Sequence, residues 1–277
     1  PCKSCQEGHL GNCEYVTFGE ISPGIQTGSC CDTGGGWSVA FAAHKSQLHP
    51  VGKDLSDEAA VMIEPTACGV HAALSTGIDP DGTVTVIGSG TLGLVTISAL
   101  RCYFPDAKIL ATARYPHQKS LALDLGADTV VAPNEIKRAV RRMTKSRAIS
   151  LSTEDGNVDR LTGGSDAVVD CVGSSESITD ALSVTRPRGK IVLVGMPSSV
   201  NLELTPLWHR EIQLVGAYTY GTEKLTDGNV TRTFDLAAGL VGSAKLERLL
   251  SAVYPLSRYQ DALEHAASAG HRGAVNV

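Results

Sequence analysis

The chain has 277 residues, 42% of them hydrophobic and 19% charged, with a formal net charge of −5. This balance belongs to a folded chain with room for two ordinary domains and excludes a disordered one. The acidic charge and the lack of a long basic run argue against nucleic acid or an anionic membrane surface as a partner.

Residues 1–50 are rich in Gly, Cys and Ser, and short alternating runs such as Trp37 to Ala43 predict loops and β-structure. Five of the eight cysteines (Cys2, Cys5, Cys13, Cys30 and Cys31) fall in the first 31 residues. Such a cluster reads as metal binding or, second, as disulfides. Cys68 lies further on, and Cys102 and Cys171 sit within apolar runs, as inert core thiols would. A helix is predicted from Leu55, with Ser56 as cap and Asp57 and Glu58 in its first turn, running on to Leu74. Thr83 to Leu100 carries no charge over 18 residues, near the length of a membrane span. Its three glycines, its hydroxyl residues and its strand-like first half assign it instead to a strand and the start of a helix.

From Thr83 the pattern alternates. Strands are predicted at Thr83–Ile87, Lys108–Ala113, Thr129–Ala132, Ala167–Cys171, Lys190–Val194 and Ile212–Ala217. Helices are predicted at Thr91–Tyr103, Gln118–Leu125, Glu135–Lys145 and Glu176–Thr185. Apolar strands alternating with helices mean a parallel sheet covered on both faces, a doubly wound α/β fold. Ser146 to Gly164, polar and without apolar periodicity, reads as a loop, and Pro187 to Gly189 as a break before a strand. Two further helices are predicted near Asp235–Val241 and Tyr259–Ala269.

The most informative stretch runs from Thr83 to Gly93 and contains Gly88-Ser89-Gly90-Thr91-Leu92-Gly93. It follows a strand and opens a helix, the context in which GxGxxG holds a dinucleotide. Gly88 permits the tight turn, Gly90 lets backbone approach a pyrophosphate, and Gly93 lets helix and strand pack closely. An NAD-binding strand would carry Asp or Glu about 20 residues further on. Here Ala113 stands at that point, followed by Arg114, which could pair with a 2′-phosphate. NADP is therefore the expected nucleotide and NAD the alternative.

Cys2-Lys-Ser-Cys5, with Cys13 after seven further residues, resembles the structural-zinc lobe of the zinc-containing alcohol and polyol dehydrogenases, within the medium-chain dehydrogenase/reductase superfamily. Further motifs extend the resemblance along the chain: Gly34-Gly-Gly-Trp-Ser, Leu48-His-Pro-Val, Glu64-Pro65, Asp170-Cys171-Val172-Gly173, Val194-Gly195-Met196, Val215-Gly-Ala-Tyr218, Tyr254-Pro-Leu256 and Asp261-Ala-Leu-Glu-His265. The resemblance implies a Rossmann coenzyme domain over 75–221 and a partial GroES-like β-barrel catalytic domain over 1–74, to which 222–277 returns. It implies nucleotide contacts at the Gly88–Gly93 loop and at Cys171, Val172, Gly173, Val194, Gly195 and Met196. It makes Cys2, Cys5 and Cys13 ligands of a structural zinc. With three of the four cysteines present, that zinc is expected to bind weakly or with a substitute ligand such as water, Cys30 or Cys31.

The family's first lobe cysteine and its main catalytic-zinc ligands would precede Pro1, so the chain is expected to be incomplete at its N-terminus and inactive as it stands. Of the catalytic-zinc shell, Glu64 is the retained candidate, expected to be buried because it interrupts an apolar helix. Cys68 and His71, three apart on that helix, read as packing residues. The implied function is hydride transfer between NADP(H) or NAD(H) and an alcohol or polyol or its carbonyl product, in a cytoplasmic homo-oligomer, dimer or tetramer. Rival readings are a zinc-free quinone or enone reductase, against which the cysteine lobe argues, and a non-catalytic nucleotide-binding Rossmann protein.

Overall fold

The computed structural model describes residues 2–15, 28, 32, 35–41, 43, 48–153, 156–225 and 228–277. Cys30, Cys31 and Gly34 lie outside the described residues. Three helices come first: α1 (Lys3–Gln6), α2 (Asp57–Ala60) and α3 (Ile63–Ser75). The alternating region then gives β1 (Thr83–Ile87), α4 (Thr91–Tyr103), β2 (Lys108–Thr112), α5 (Pro116–Asp124), β3 (Thr129–Val131) and α6 (Ile136–Thr144). It continues through β4 (Ala148–Thr153), β5 (Gly156–Leu161), β6 (Ser165–Asp170), α7 (Ser175–Val184), β7 (Thr185–Leu193), α8 (Thr205–His209) and β8 (Gln213–Gly216). A short hairpin, β9 (Thr222–Lys224) and β10 (Val230–Arg232), precedes α9 (Thr233–Ala244) and α10 (Tyr259–Ala267).

Six strands form one parallel sheet in the order β3-β2-β1-β6-β7-β8. The order reverses direction at β1/β6, which opens a crevice at the carboxyl ends of those two strands. Both faces are covered. One core gathers Val84, Val86, Ile109, Leu94, Ile97, Leu100 and Val70, packing α3, α4 and α9 on the sheet. The other gathers Ile87, Leu110, Val168, Ile191, Ile178 and Val140 under α6 and α7. Strands buried on both faces need continuous apolar runs rather than alternation, as Ile109 to Ala111 and Ala167 to Val169 show. No helix among the described residues is long and apolar enough to cross a membrane.

Several expectations change. The helix expected from Leu55 to Leu74 is two helices, with Ser56 Oγ capping the first by accepting from Ala59 N at 3.2 Å. The break falls at Val61–Met62 because Pro65 has no N–H to give the carbonyl four residues back. In the first turn of a new helix that missing donor costs nothing. Ser146 to Gly164 is not all loop. Ala148 to Thr153 pairs antiparallel with Gly156 to Leu161, and the Ile-Ser-Leu-Ser-Thr alternation before Asp155-Gly156 was the signal for it. No strand occurs among the described residues of 1–50, where the turns of α1 and Leu10–Asn12 stand instead. Cys102 is exposed rather than a core thiol. Cys171 is partly buried against the core, and burial pushes its thiol up to about 12.

Candidate functional site

The glycine loop lies where β1 ends. Gly88 turns with φ +91°, and a Cβ there would stand 2.6 Å from Val172 Cγ2, so neither the backbone angle nor the space admits a side chain. Gly93 packs so tightly under the loop that a Cβ would overlap the Gly88 carbonyl oxygen and lie 2.9 Å from its carbon. Around Gly90 an added Cβ would meet nothing within 4 Å. This open space faces the N-terminus of α4, whose cap residue offers no side-chain oxygen to the first N–H groups. An unfilled helix start of 13 residues beside an open glycine is a fitting cradle for a pyrophosphate.

Two neighbours hold the loop: Thr112, which the sequence reading did not name, and Asp170, which it gave only as the start of the 170–173 motif. Thr112, at the end of β2, accepts from Ser89 Oγ through its carbonyl at 2.8 Å, and its Oγ1 accepts from Gly88 N at 3.0 Å. Asp170, fully buried at the end of β6, accepts from the N–H groups of Val172 (2.9 Å) and Gly173 (3.2 Å) and from Ser177 Oγ (2.9 Å). Burial pushes its pKa up against those three donors. A carboxylate closing an apolar strand just before a glycine was the signal available in the sequence. Asp170 shapes the 171–173 turn, which faces the glycine loop through Val172. Val194-Gly195-Met196 leaves β7 beside it, with Val194 N and Gly195 N both donating to Asp170 O at 2.9 Å and Met196 91% exposed. The structure therefore brings together the loop and both strand ends that the resemblance implied.

Ala113 is buried at the end of β2, and Arg114 beside it is exposed, with no hydrogen bond or ion pair among the described residues. Tyr115 fills the next slot. Its ring stacks on His117 (centroids 5.7 Å) and meets His271 edge-on at 5.3 Å. The C-terminal segment also crosses the loop, where Thr91 Oγ1 donates to Val275 O at 3.3 Å.

Cys2, Cys5 and Cys13 converge in the N-terminal turns, their sulfurs all within 4.8 Å of one another. They are the one three-ligand group of this kind among the described residues. Hydrogen bonds from the backbone of Cys5 and Glu14 lower the Cys2 thiol. The Cys5 thiol is pushed up to about 11 by hydrogen bonding to Cys2 and then Cys13. Three sulfurs sharing protons in this way fit a soft divalent ion such as zinc.

Glu64 is exposed on α3, not buried as its apolar neighbours suggested. The side chain stands at the helix surface, where Cys68 Sγ, one turn on, lies 3.8 Å from Oε1. Partial desolvation still raises the Glu64 pKa. Cys68 is pushed up to about 12, by burial first and by the Glu64 charge second. Tyr220, likewise raised to about 12, feels burial first and then both groups. His71 on the same face pairs with Glu223 at 2.7 Å, which also accepts from Thr233 Oγ1 at 2.9 Å, tying α3 to the β9–β10 hairpin. No three-ligand metal group including Glu64 is found among the described residues.

Among proteins of known activity, the chain is 29% identical over 221 residues to L-idonate 5-dehydrogenase of Vitis vinifera, covering 79% of this chain and 55% of that one. It is 28% identical over 243 residues to sorbitol dehydrogenase of Arabidopsis thaliana, covering 83% and 59%. The chain thus spans less than two thirds of the length of these relatives. The crystal structure of L-idonate 5-dehydrogenase from Escherichia coli superposes with a TM-score of 0.73 at 24% identity, covering 99% of this chain and 70% of that one, a likeness of fold. The family described as zinc-binding dehydrogenase matches residues 91–233, just over half of the chain, and takes in α4, the strand ends at 171–173 and 194–196 and the hairpin beyond β8. The chain belongs to the zinc-binding dehydrogenase family.

Proposed function

We propose that this chain supplies the coenzyme half of an NADP(H)-dependent, zinc-containing polyol dehydrogenase. The observation that carries the nucleotide assignment is the end of β2, where Ala113 stands in place of a ribose-binding carboxylate and the exposed Arg114, unpartnered among the described residues, follows it. The polyol assignment rests on the sorbitol and idonate dehydrogenases named above. When bound, the nicotinamide supplies the hydride acceptor or donor and a zinc ion the electrophile that polarises the substrate oxygen. The chain's own part is to hold the nucleotide. α4 offers N–H groups to the pyrophosphate, the 171–173 and 194–196 turns flank the nicotinamide side, and Arg114 pairs with the 2′-phosphate. Cys2, Cys5 and Cys13 would hold the structural zinc, and Glu64 the catalytic one. The division into 1–74, 75–221 and 222–277, a homo-oligomeric assembly and a cytoplasmic location belong to this reading through the resemblance.

Two tests bear on the metal. Zinc counted by mass spectrometry in the purified chain should reach at most one equivalent, and Cys13→Ser should lower it. Two equivalents, or no change in the variant, would contradict the assignment. In the whole protein, Glu64→Ala should lower polyol turnover about 10- to 100-fold, as loss of a group beside a metal does, with NADPH affinity kept. A second reading, nucleotide binding without catalysis, is favoured by the exposure of Glu64. It requires the whole wild-type protein to bind NADPH and show no polyol turnover; a Glu64→Ala variant as active as an active wild type would instead remove Glu64 from the site.

A further inference from the structure

Three charged side chains are buried among the described residues: Asp170, Glu223 and Arg210. The first is met by three donors and the second by His71 and Thr233. Arg210, 9% exposed, has no such answer. Its guanidinium donates to two carbonyls, Gly163 O at 2.6 Å and Ser183 O at 3.5 Å, and meets no carboxylate among the described residues. The charge beside it is another cation, Arg160, and burial followed by that repulsion lowers its pKa. A buried guanidinium facing a second cation is costly unless an anion joins them.

The space for one is present. Lys137, Arg160, Thr179, Ser183, Glu203 and Arg210 line a cavity of about 80 Å³ between α6, α7, α8 and β5. At about 30 Å³ per water, it holds two or three waters or one small oxyanion. Glu203 answers part of the charge through its pair with Arg160 at 3.3 Å, and Asp180 on α7 draws on Lys137. Among the described residues, three cations against these two carboxylates leave the cavity positive, and the hydroxyls of Thr179 and Ser183 already donate to Ser175 O and Asp180 O, each at 2.7 Å, so the cations alone would hold an anion.

Position separates this cavity from the nucleotide. Gly163 precedes β6, Ser183 ends the helix leading into β7, and Arg210 precedes β8, so the cavity lies at the amino edge of the parallel sheet. The glycine loop follows the carboxyl end of β1, at the opposite edge.

We propose that this cavity is a second anion site, built for inorganic phosphate and held by the guanidinium forks of Arg160 and Arg210 with Lys137. The test is calorimetric titration of inorganic phosphate into the protein at constant ionic strength. Wild type, Arg160→Ala, Lys137→Ala and Arg114→Ala are compared, with thermal unfolding to show that each is folded. Lys137 is exposed and Arg160 partly so, and neither replacement opens the core. Saturable binding of one phosphate, weakened at least about tenfold in Arg160→Ala and Lys137→Ala and unchanged in Arg114→Ala, is the expected result. The proposal is overturned by absence of saturable binding, by equal affinity in the two cavity variants, or by loss of binding in Arg114→Ala. The last would place the phosphate at the nucleotide site.

Discussion

Arg114→Ala should weaken NADPH binding by about 1.5–3 kcal/mol, roughly 10- to 150-fold, and leave NADH nearly unchanged. Arg114 is exposed and makes no hydrogen bond or ion pair among the described residues, so its removal breaks no internal contact and its effect reports the nucleotide alone. A charge-assisted bond to a phosphate is among the stronger hydrogen bonds available to a surface arginine. Ala113 carries no carboxylate to hold a ribose hydroxyl, so NADH has little at this point to lose. Parallel fluorescence titrations of both nucleotides against both proteins measure the two ratios. Equal losses for NADPH and NADH would show that Arg114 does not read the 2′-phosphate.

Gly93→Ala should remove binding of both nucleotides and lower stability together. Its Cβ would overlap the Gly88 carbonyl oxygen, so α4 or the loop must shift. Forcing one methyl into such packing costs about 1–3 kcal/mol, and each kcal/mol lowers the melting temperature of a chain this size by roughly 2–4 °C. Gly90→Ala is the contrast. Its Cβ meets nothing within 4 Å, so the fold should hold, while the methyl occupies the space where a pyrophosphate approaches. Melting temperature and nucleotide affinity should therefore fall together in Gly93→Ala and separate in Gly90→Ala. Normal NADPH affinity in the second variant would place the nucleotide elsewhere.

The sheet was legible because its strands are buried on both faces. Ile109 to Ala111 and Ala167 to Val169 are continuous apolar runs, and each is followed by a turn and a helix within a few residues. The glycine loop was legible for a steric reason, since Gly88 and Gly93 stand where a side chain does not fit. The β4–β5 hairpin was missed because its alternation is between Ile or Leu and Ser or Thr, a weak contrast inside a polar segment. The break between α2 and α3 depends on Pro65 reaching back to Val61, a signal present in the sequence but outweighed by the apolar run around it. Glu64 misled in the other direction. A carboxylate among apolar neighbours suggested burial, whereas the side chain emerges at the surface beside Cys68 and Tyr220. Thr112 and Arg210 were not legible at all. Their roles arise from contacts 24 and 47 residues away, which no local pattern encodes.

The most direct test is calorimetric titration of the unmodified chain with NADPH, followed by competition with 2′-phospho-ADP-ribose. One saturable site per chain, with NADPH held more tightly than NADH and displaced by the 2′-phosphorylated fragment, is the result expected from a glycine loop at β1 and Arg114 at β2. Absence of saturable binding, or tighter binding of NADH, would contradict it.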